Sequence, residues 1–203
     1  MKTVRSEDGY TLIESLVALL LVSVVTTTFY QVLFSGARGS EKTREITRVS
    51  EEARSGLNRM VRDTREADQL VSVSDDSYNV RIDFNADGAF ENPNAEGDFE
   101  DLTFTYEAVS KTITLNGETL VAGVEPVGTE PPFSFTSNYL EYDWDGDGVT
   151  TLSELEAAPS HGVTVVTPGD EAAFLTGVAF EFQVQSGESK NRFVAEAQLR
   201  NRR

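Results

Sequence analysis

The densest group of chemically useful side chains lies between Asp143 and Glu154. The segment reads Asp-Trp-Asp-Gly-Asp-Gly-Val-Thr-Thr-Leu-Ser-Glu and fits the pattern D-x-D-x-D-G-x5-E at every required position. Calcium binds about six to eight oxygen atoms at roughly 2.3–2.6 Å. The spacing therefore predicts a calcium loop of the EF-hand type, in which the ion (Ca²⁺) has a structural role.

Each position of this loop has a physical reason. The predicted ligands are the carboxylates of Asp143, Asp145 and Asp147, the carbonyl of Val149, the hydroxyl of Thr151 directly or through water, and a bidentate Glu154. Gly148 permits the sharp turn, and a short helix over residues 152–157 returns Glu154 to the loop. The alternative is an acidic turn without metal. Three close carboxylates repel one another unless a cation lies between them, which favours calcium.

A second acidic segment begins at Asp83 with a similar order of residues, D-x-N-x-D-G. The candidate ligands for a second calcium ion are Asp83, Asn85, Asp87 and the carbonyl of Ala89. The twelfth position is Asn94, a poor substitute for the closing glutamate. The acids that follow are Glu96, Asp98, Glu100 and Asp101, and these would have to complete a longer loop. A solvated acidic hairpin loop is the alternative, and the sequence leaves both open.

Few of the usual catalytic groups are present. The chain of 203 residues has one histidine and no cysteine, and His161 has no partner at a spacing typical of a metal site or a catalytic triad. We expect His161 to be a loop residue without a function of its own, and the protein not to be an enzyme. The formal net charge of −17 excludes a general nucleic-acid binder, which needs a basic surface.

An apolar stretch near the N-terminus must position everything that follows. Residues 15–36 carry no charge, which is enough for a helix to cross about 30 Å of hydrocarbon. Glu14 stands close to its start. A carboxylate in a membrane helix costs about 2.5–3.5 kcal/mol on insertion scales, so it indicates a function by default. We expect a partner charge to neutralise Glu14 once the helix leaves lipid for a protein assembly.

The residues around Glu14 resemble a known processing site. Gly9-Tyr10-Thr11-Leu12-Ile13-Glu14 resembles the site in type IV prepilins and type II secretion pseudopilins. The resemblance implies that a prepilin peptidase cuts between Gly9 and Tyr10 and methylates the new amine of Tyr10. It implies that Glu14 then pairs with such an amine, on an adjacent subunit or its own. The closing residues, Gln198-Leu199-Arg200-Asn201, resemble the last strand of minor pilins of the PilW/GspJ type.

The resemblance also implies a location and a set of partners. The chain would be a single-pass protein of the bacterial cytoplasmic (inner) membrane, with its globular part outside the cytoplasm. It would later join a pilus or pseudopilus at the cell surface or in the periplasm, near the tip or in priming assembly. The implied partners are the prepilin peptidase, other pilin or pseudopilin subunits, the inner-membrane assembly platform and, before assembly, membrane lipid. The alternative is a single-pass, membrane-anchored, calcium-dependent binding or adhesion module that keeps residues 1–9.

The pattern of apolar residues predicts an α+β fold. Residues 41–70 have apolar positions at steps of three and four, which indicates an amphipathic helix. Alternating patterns then predict strands over residues 78–84, 102–106, 112–115, 119–121, 133–135, 178–184 and 193–199. Asn116-Gly117 predicts a tight hairpin turn, and a turn over residues 186–190 makes the last two strands a terminal antiparallel hairpin. We therefore predict a long N-terminal helix packed on an antiparallel β-sheet, as in pilins. The predicted segments are a leader (1–9), a membrane or filament-core helix (10–36), an amphipathic half-helix (37–70) and a β domain with acidic insertions (71–203).

Overall fold

The computed structural model describes residues 11–90, 92, 99–167, 169–186 and 189–199. Within these residues it has two α-helices, α1 (Leu12–Glu66) and α2 (Leu152–Ala157). The strands are β1 (Gln69–Ser74), β2 (Ser77–Arg81), β3 (Asp101–Glu107), β4 (Thr112–Leu115), β5 (Glu118–Ala122), β6 (Val124–Pro126), β7 (Phe133–Ser137), β8 (Thr150–Thr151), β9 (Gly177–Ser186) and β10 (Ser189–Gln198). The predicted α+β class is confirmed, and the short helix expected after the first acidic loop is α2.

The chain divides into two compact units, Met1–Glu45 and Ile46–Arg203. The described part of the first unit is the beginning of α1, whose apolar side chains from Leu12 to Phe34 are exposed. Among the described residues, α1 is the one helix long and apolar enough to cross a membrane. An apolar stretch that is exposed over this length needs an apolar environment, which lipid or other helices can supply.

Four hydroxyls in the apolar part of α1 are satisfied by the helix itself. The hydroxyls of Thr26, Thr27 and Thr28 donate hydrogen bonds of 2.7–2.9 Å to the backbone carbonyls four residues earlier. Ser23 donates to the carbonyl of Leu20 at 2.8 Å. Because each of these four hydroxyls has an acceptor within the helix, they cost little in hydrocarbon and do not by themselves require a partner helix.

In the second unit, α1 is amphipathic, as predicted. Ala53, Leu57 and Met60 are buried in the core, and charged residues occupy the outer face. The helix approaches the sheet most closely at Gly56. A Cβ atom added there would lie 2.3 Å from Cγ2 of Val121 on β5. Glycine is therefore required by this contact.

The strands form two antiparallel sheets instead of the one that the sequence predicts. The first sheet has the order β1-β2-β3-β4-β5, and the second has the order β10-β9-β7-β8, with β6 also paired to β9. The hairpin predicted at Asn116-Gly117 is confirmed: both residues have positive φ, 51° and 84°, as a type I′ turn requires. The terminal hairpin β9–β10 is also confirmed.

The core is rich in aromatic side chains that join the two sheets. Tyr78 on β2 stacks on Phe104 of β3, with ring centroids 4.9 Å apart, and meets Phe133 of β7 edge-on at 5.2 Å. Its buried hydroxyl lies 3.2 Å from the hydroxyl of Thr64 on α1. Burial of the phenol raises the pKa of Tyr78 well above its usual range, so the ring stays neutral. Tyr78 thus joins α1 and both sheets.

One boundary differs from the sequence prediction. The helical interpretation extends to residue 70, but α1 ends at Glu66 and β1 begins at Gln69. The backbone N–H of Asp68 donates to the carbonyl of Arg81 at 2.8 Å, and Leu70 pairs with Val80. Pairing with β2 buries Leu70 as a strand residue, and this tertiary contact overrides the local helical periodicity.

Candidate functional site

The first acidic loop is fixed to the second sheet. At its far side, Thr150 and Thr151 form β8 and pair with Ser137 and Thr136 of β7. The buried hydroxyl of Thr150 also donates to the carbonyl of Tyr139 at 2.9 Å. The aspartates therefore lead directly into a paired strand that is followed by α2, which limits how far the end of the loop that carries Glu154 can move.

The three aspartates of this loop face one another. One oxygen of each of Asp143, Asp145 and Asp147 lies within 4.8 Å of the others. Their other contacts are hydrogen bonds from the loop backbone: Gly148 N to Asp143 Oδ2 (2.9 Å), Gly146 N to Asp143 Oδ1 (2.7 Å), Asp147 N to Asp145 Oδ1 (3.0 Å) and Val149 N to Asp147 Oδ1 (2.8 Å). The backbone thus winds around the aspartates and gathers them on one side.

These contacts keep Asp143 ionised. The hydrogen bond from Gly148 N, helped by those from Gly146 and Asp147, outweighs partial burial and lowers the pKa of the Asp143 carboxyl below its usual value. Anionic carboxylates are the form that a hard cation binds. Asp143 is therefore already in the form that binds a cation.

Glu154 closes the loop and caps α2. Its Oε2 accepts hydrogen bonds from the backbone N–H and the hydroxyl of Thr151, at 2.8 and 2.9 Å, and Thr151 accepts from Glu154 N. This is a capping box at the start of α2. The other carboxylate oxygen of Glu154, Oε1, accepts a hydrogen bond from Trp144 N at 2.9 Å. Burial acts to raise the pKa of Glu154, but the hydrogen bonds from Thr151, Trp144 and Asp145 outweigh it and lower the pKa.

Trp144 ties the start of the loop to the residues beyond α2. Its indole Nε1–H donates to the carbonyl of Glu154 at 3.0 Å. The indole ring stacks on the imidazole of His161, with centroids 4.4 Å apart and an angle of 6° between the planes. His161 also contacts the carbonyl of Ala157 through Nδ1 at 3.1 Å. This histidine therefore has a packing role that the sequence does not reveal.

The arrangement fits a hard divalent cation. All the candidate side-chain ligand atoms are oxygens. Oxygens of the three aspartates converge, and the carboxylate of Glu154 lies beside the start of the loop, at Trp144 N. The residues that would hold calcium are Asp143, Asp145, Asp147, Val149 through its carbonyl, and Glu154. Thr151 is committed to the capping box, so it would reach the ion through water. The bound ion would supply positive charge that offsets the repulsion among the carboxylates.

The second acidic loop repeats the backbone pattern of the first. Gly88 N donates to Asp83 Oδ2 at 2.9 Å, Asp87 N to Asn85 Oδ1 at 3.0 Å and Ala89 N to Asp87 Oδ1 at 2.8 Å. Glu100, which is fully buried, accepts from Phe84 N at 3.2 Å. In the first loop, Glu154 accepts the equivalent hydrogen bond from Trp144 N. Of the described acids that follow the loop, Glu100 is therefore the one placed to complete it, while Asn94, Glu96 and Asp98 lie outside the described residues.

The start of α1 contains a contact that bears on Glu14. Glu14 Oε2 accepts from the backbone N–H and the hydroxyl of Thr11, both at 3.3 Å, and Glu14 N donates back to the Thr11 hydroxyl at 3.3 Å. Thr11 and Glu14 thus form a capping box, and the T-x-x-E spacing was the signal for it in the sequence. Glu14 therefore has a local role in addition to the predicted one. Gly9 and Tyr10 lie outside the described residues.

Comparisons with protein-family models, curated proteins and solved structures find no significant match to this chain. The class of this chain is therefore inferred from its own architecture: an apolar N-terminal helix that continues as an amphipathic helix packed on antiparallel sheets. This architecture is compatible with a pilin-like fold.

Proposed function

We propose that the chain is a minor pilin or pseudopilin, a structural subunit of a type IV pilus or a type II secretion filament. The observation that carries the proposal is one helix with two kinds of environment. Its first part is apolar, exposed and preceded by the single carboxylate of Glu14, and its part from Ile46 buries Ala53, Leu57 and Met60 in the core. A filament whose centre is made of apolar helices gives both parts a suitable environment.

The sequence resemblance supplies the steps of assembly. Prepilin peptidase would cut between Gly9 and Tyr10 and methylate Tyr10, and the subunit would wait in the inner membrane as a single-pass protein. The assembly platform would then move α1 from lipid into the filament. There the methylated amine of a subunit would face the carboxylate of Glu14, and this ion pair would offset the cost of burying both charges. The satisfied hydroxyls of Thr26–Thr28 allow α1 to occupy either environment.

Calcium would act as a structural clip in the globular part. Asp143, Asp145, Asp147 and Glu154 are held by a paired strand and a capped helix, so an ion among them would join β8, α2 and the preceding loop. The loop at Asp83, Asn85, Asp87 and Ala89, closed by Glu100, is proposed as a second site of the same kind. Calcium modules outside cells often bind with Kd values of about 10⁻⁴–10⁻³ M, which suits this location.

The test is the mass of the native protein in two fractions. A pilin-like subunit taken from sheared filaments or pseudopili begins at a methylated Tyr10, whereas the chain without processing begins at Met1. A chain that keeps residues 1–9 and stays in the membrane fraction contradicts the proposal and favours the membrane-anchored binding module. The control is the same strain without prepilin peptidase, in which only the uncut chain is expected.

A further inference from the structure

The charges of this chain are unevenly distributed along it. Residues 67–199 contain 25 acidic and four basic side chains, while residues 38–66 contain eight basic and six acidic ones. The strands and loops are thus strongly acidic, and the basic side chains are concentrated on α1. Charge segregation of this degree gives one part of a molecule an attraction for a different part of another copy.

Three of the basic side chains of α1 line a shallow groove on the outer face of this helix. It is lined by Glu51, Arg54, Ser55, Asn58, Arg59 and Arg62, all of which are exposed. The three arginines stand at i, i+5 and i+8, so at about 100° per residue they fall within a sector of about 140° of the helix surface, and Arg59 and Arg62 are i,i+3 neighbours. This set of six residues is called the arginine groove below.

The three arginines of the groove outnumber the two carboxylates beside them, Glu51 and Asp63. Arg59 and Arg62 share one carboxylate, that of the buried Asp63, at 3.4 and 3.0 Å. Their own side chains are 50% and 62% exposed, so several of their N–H donors face solvent. Arg54 forms no hydrogen bond or ion pair with any residue in the described part of the chain.

The chemistry of the groove favours carboxylate partners. Every basic residue in it is an arginine, whose planar guanidinium binds a carboxylate with two parallel hydrogen bonds. Ser55 and Asn58 add neutral donors between the arginines. The acidic surface of residues 67–199 of a second copy has the complementary charge and the required groups.

We propose that the arginine groove of one copy binds the acidic β-sheet unit of a second copy of this chain. The contact is heterologous, because the basic surface is on α1 and the acidic surface is on the strands and loops. A heterologous contact lets both copies keep the same direction, and it repeats without closing unless the rotation between copies forms a ring. Two copies anchored in one membrane, or following one another in a filament, meet this requirement. The proposal rests on the groove and does not require leader processing or Glu14.

An arginine-rich helix face can also bind anionic lipid. Arg54 follows the end of the uncharged stretch by 18 residues in the sequence, counted from Gly36. Attraction to a charged membrane surface falls off within about 8 Å at physiological ionic strength. The acid-rich surface of another copy needs no such proximity, so it is the occupant proposed here, and lipid binding is an outcome of the test.

The first test measures self-association of the full chain in detergent micelles by sedimentation at about 0.05 M and about 0.5 M NaCl. We expect self-association at low salt that weakens at least several-fold at high salt. Arg54→Glu is expected to abolish it, and this variant should fold because Arg54 has no hydrogen-bond or ion-pair partner among the described residues. Arg81→Glu is unsuitable as a control because Arg81 pairs with Asp101. The control is Glu51→Gln, which removes a negative charge from the groove and should leave association equal or stronger.

The second test locates the contact. The chain has no lysine between residues 43 and 110, so the triple variant Arg54→Lys, Arg59→Lys, Arg62→Lys introduces amines into the groove and keeps its charge. A carbodiimide then joins each lysine to a carboxylate in direct contact. In a mixture of ¹⁴N and ¹⁵N protein, we expect mixed-isotope cross-links from these lysines to acids in residues 67–199. The pair Lys111–Glu125, 2.7 Å apart within one chain, is the internal control for the reaction.

The possible outcomes distinguish a second copy of this chain from anionic lipid as the partner of the arginine groove. Cross-links confined to one chain, or association unchanged by Arg54→Glu, would overturn the proposal. Binding of the groove to vesicles with anionic headgroups, lost in Arg54→Glu while the protein stays monomeric, would assign the groove to lipid instead. A correctly processed N-terminus in filaments together with no mixed-isotope cross-link would leave the filament role standing and remove only this contact.

Discussion

Trp144 donates two hydrogen bonds to Glu154, one from its backbone N–H to Oε1 at 2.9 Å and one from its indole Nε1–H to the backbone carbonyl at 3.0 Å. These residues occupy the second and twelfth positions of the first acidic loop. These two hydrogen bonds therefore fix the start and the end of the loop to each other, and Glu154 is also a proposed ligand of the ion. Any ion that draws Glu154 inward must also change the surroundings of Trp144.

The first prediction uses this coupling. Trp144 is the only tryptophan, so its fluorescence reports on the loop alone. We expect millimolar Ca²⁺ to change the emission of Trp144 and to raise the melting temperature. At a Kd of about 10⁻⁴–10⁻³ M, millimolar ligand is about one to ten times Kd and stabilises the folded state by about 0.4–1.4 kcal/mol. Asp145→Ala combined with Glu154→Gln should lose the change in Trp144 emission and the part of the melting shift that comes from this loop. Glu156→Gln, an equivalent change on the exposed side of α2, should retain them. Unchanged melting in the wild type at millimolar Ca²⁺ would remove the calcium proposal.

The second prediction concerns the number of ions. If the loops at Asp83 and Asp143 both bind, equilibrium dialysis should give two calcium ions per chain. Asp83→Asn and Asp143→Asn are matched changes, because each aspartate accepts hydrogen bonds from the glycine five residues later at 2.9 Å. Each variant should lose one ion and keep the other. A wild-type stoichiometry of one that Asp143→Asn reduces to zero would show that the Asp83 loop is a solvated hairpin loop.

The third prediction tests the contact between α1 and β5. Gly56→Ala places a methyl group 2.3 Å from Val121 Cγ2, so Val121 or the helix must move. Overpacking of this kind costs about 1–3 kcal/mol, and we expect a lower midpoint in denaturant unfolding. Gly39→Ala is the matched control on the same helix, because nothing lies within 4 Å of its added Cβ. That variant should unfold at the wild-type midpoint or slightly above it. Equal midpoints for the two variants would contradict the packing described at Gly56.

Much of the fold could be predicted because its signals are local. Tyr78 and Val80 alternate with polar residues, Asn116-Gly117 can adopt the positive φ of a type I′ turn, and the aspartate pattern specifies both its own winding and the start of α2. Features that depend on distant contacts were not predicted. Leu70 continues a helical pattern until β2 pairs with it, and the two-residue strand β8 exists only because β7 lies beside it.

The candidate site, too, could be predicted from the sequence only where its signals are local. The sequence pattern gives the ligands of the first loop, but not the stacking of His161 on Trp144, because these residues are 17 apart and no spacing rule joins them. Glu100 was only one of several acids that could have closed the second loop. Its burial and its contact with Phe84 N distinguish it, and both are tertiary properties. The T-x-x-E spacing of Thr11 and Glu14 is a local signal and is sufficient to predict their capping box.

The fourth prediction concerns a pH-dependent link between the sheets. Glu125 on β6 accepts hydrogen bonds at 2.7 Å from Lys111, before β4, and from Lys190 on β10. The bond from Lys111, with that from Lys190, lowers the pKa of Glu125 from 4.5 to about 2. A carboxyl with a lowered pKa in the folded state stabilises it fully above the unfolded pKa, and the stabilisation is lost as pH falls through the folded value.

Glu125→Gln should therefore melt below the wild type at pH 6, and the difference should shrink between about pH 4.5 and about pH 2. Added salt should also reduce the difference, since the three side chains are partly exposed. Glu130→Gln changes an exposed carboxyl further along the chain and should follow the wild type at every pH. A Glu125→Gln deficit that is constant with pH would mean that packing, and not charge, is what the substitution removes.

The last prediction separates the two roles of Glu14. Thr11→Ala removes the hydroxyl of the capping box but leaves the carboxylate, whereas Glu14→Ala removes both the capping contact and the charge. Loss of a cap costs about 1 kcal/mol of helix stability, which should scarcely affect a long helix held in lipid or in a filament. If Glu14 pairs with the methylated amine of Tyr10, Glu14→Ala should accumulate processed in the membrane and fail to reach filaments, and Thr11→Ala should assemble normally. Western blots of sheared filaments and membranes measure this distribution. Equal assembly of both variants at the wild-type level would show that Glu14 only caps α1, and equal loss would show that the cap itself is what assembly requires.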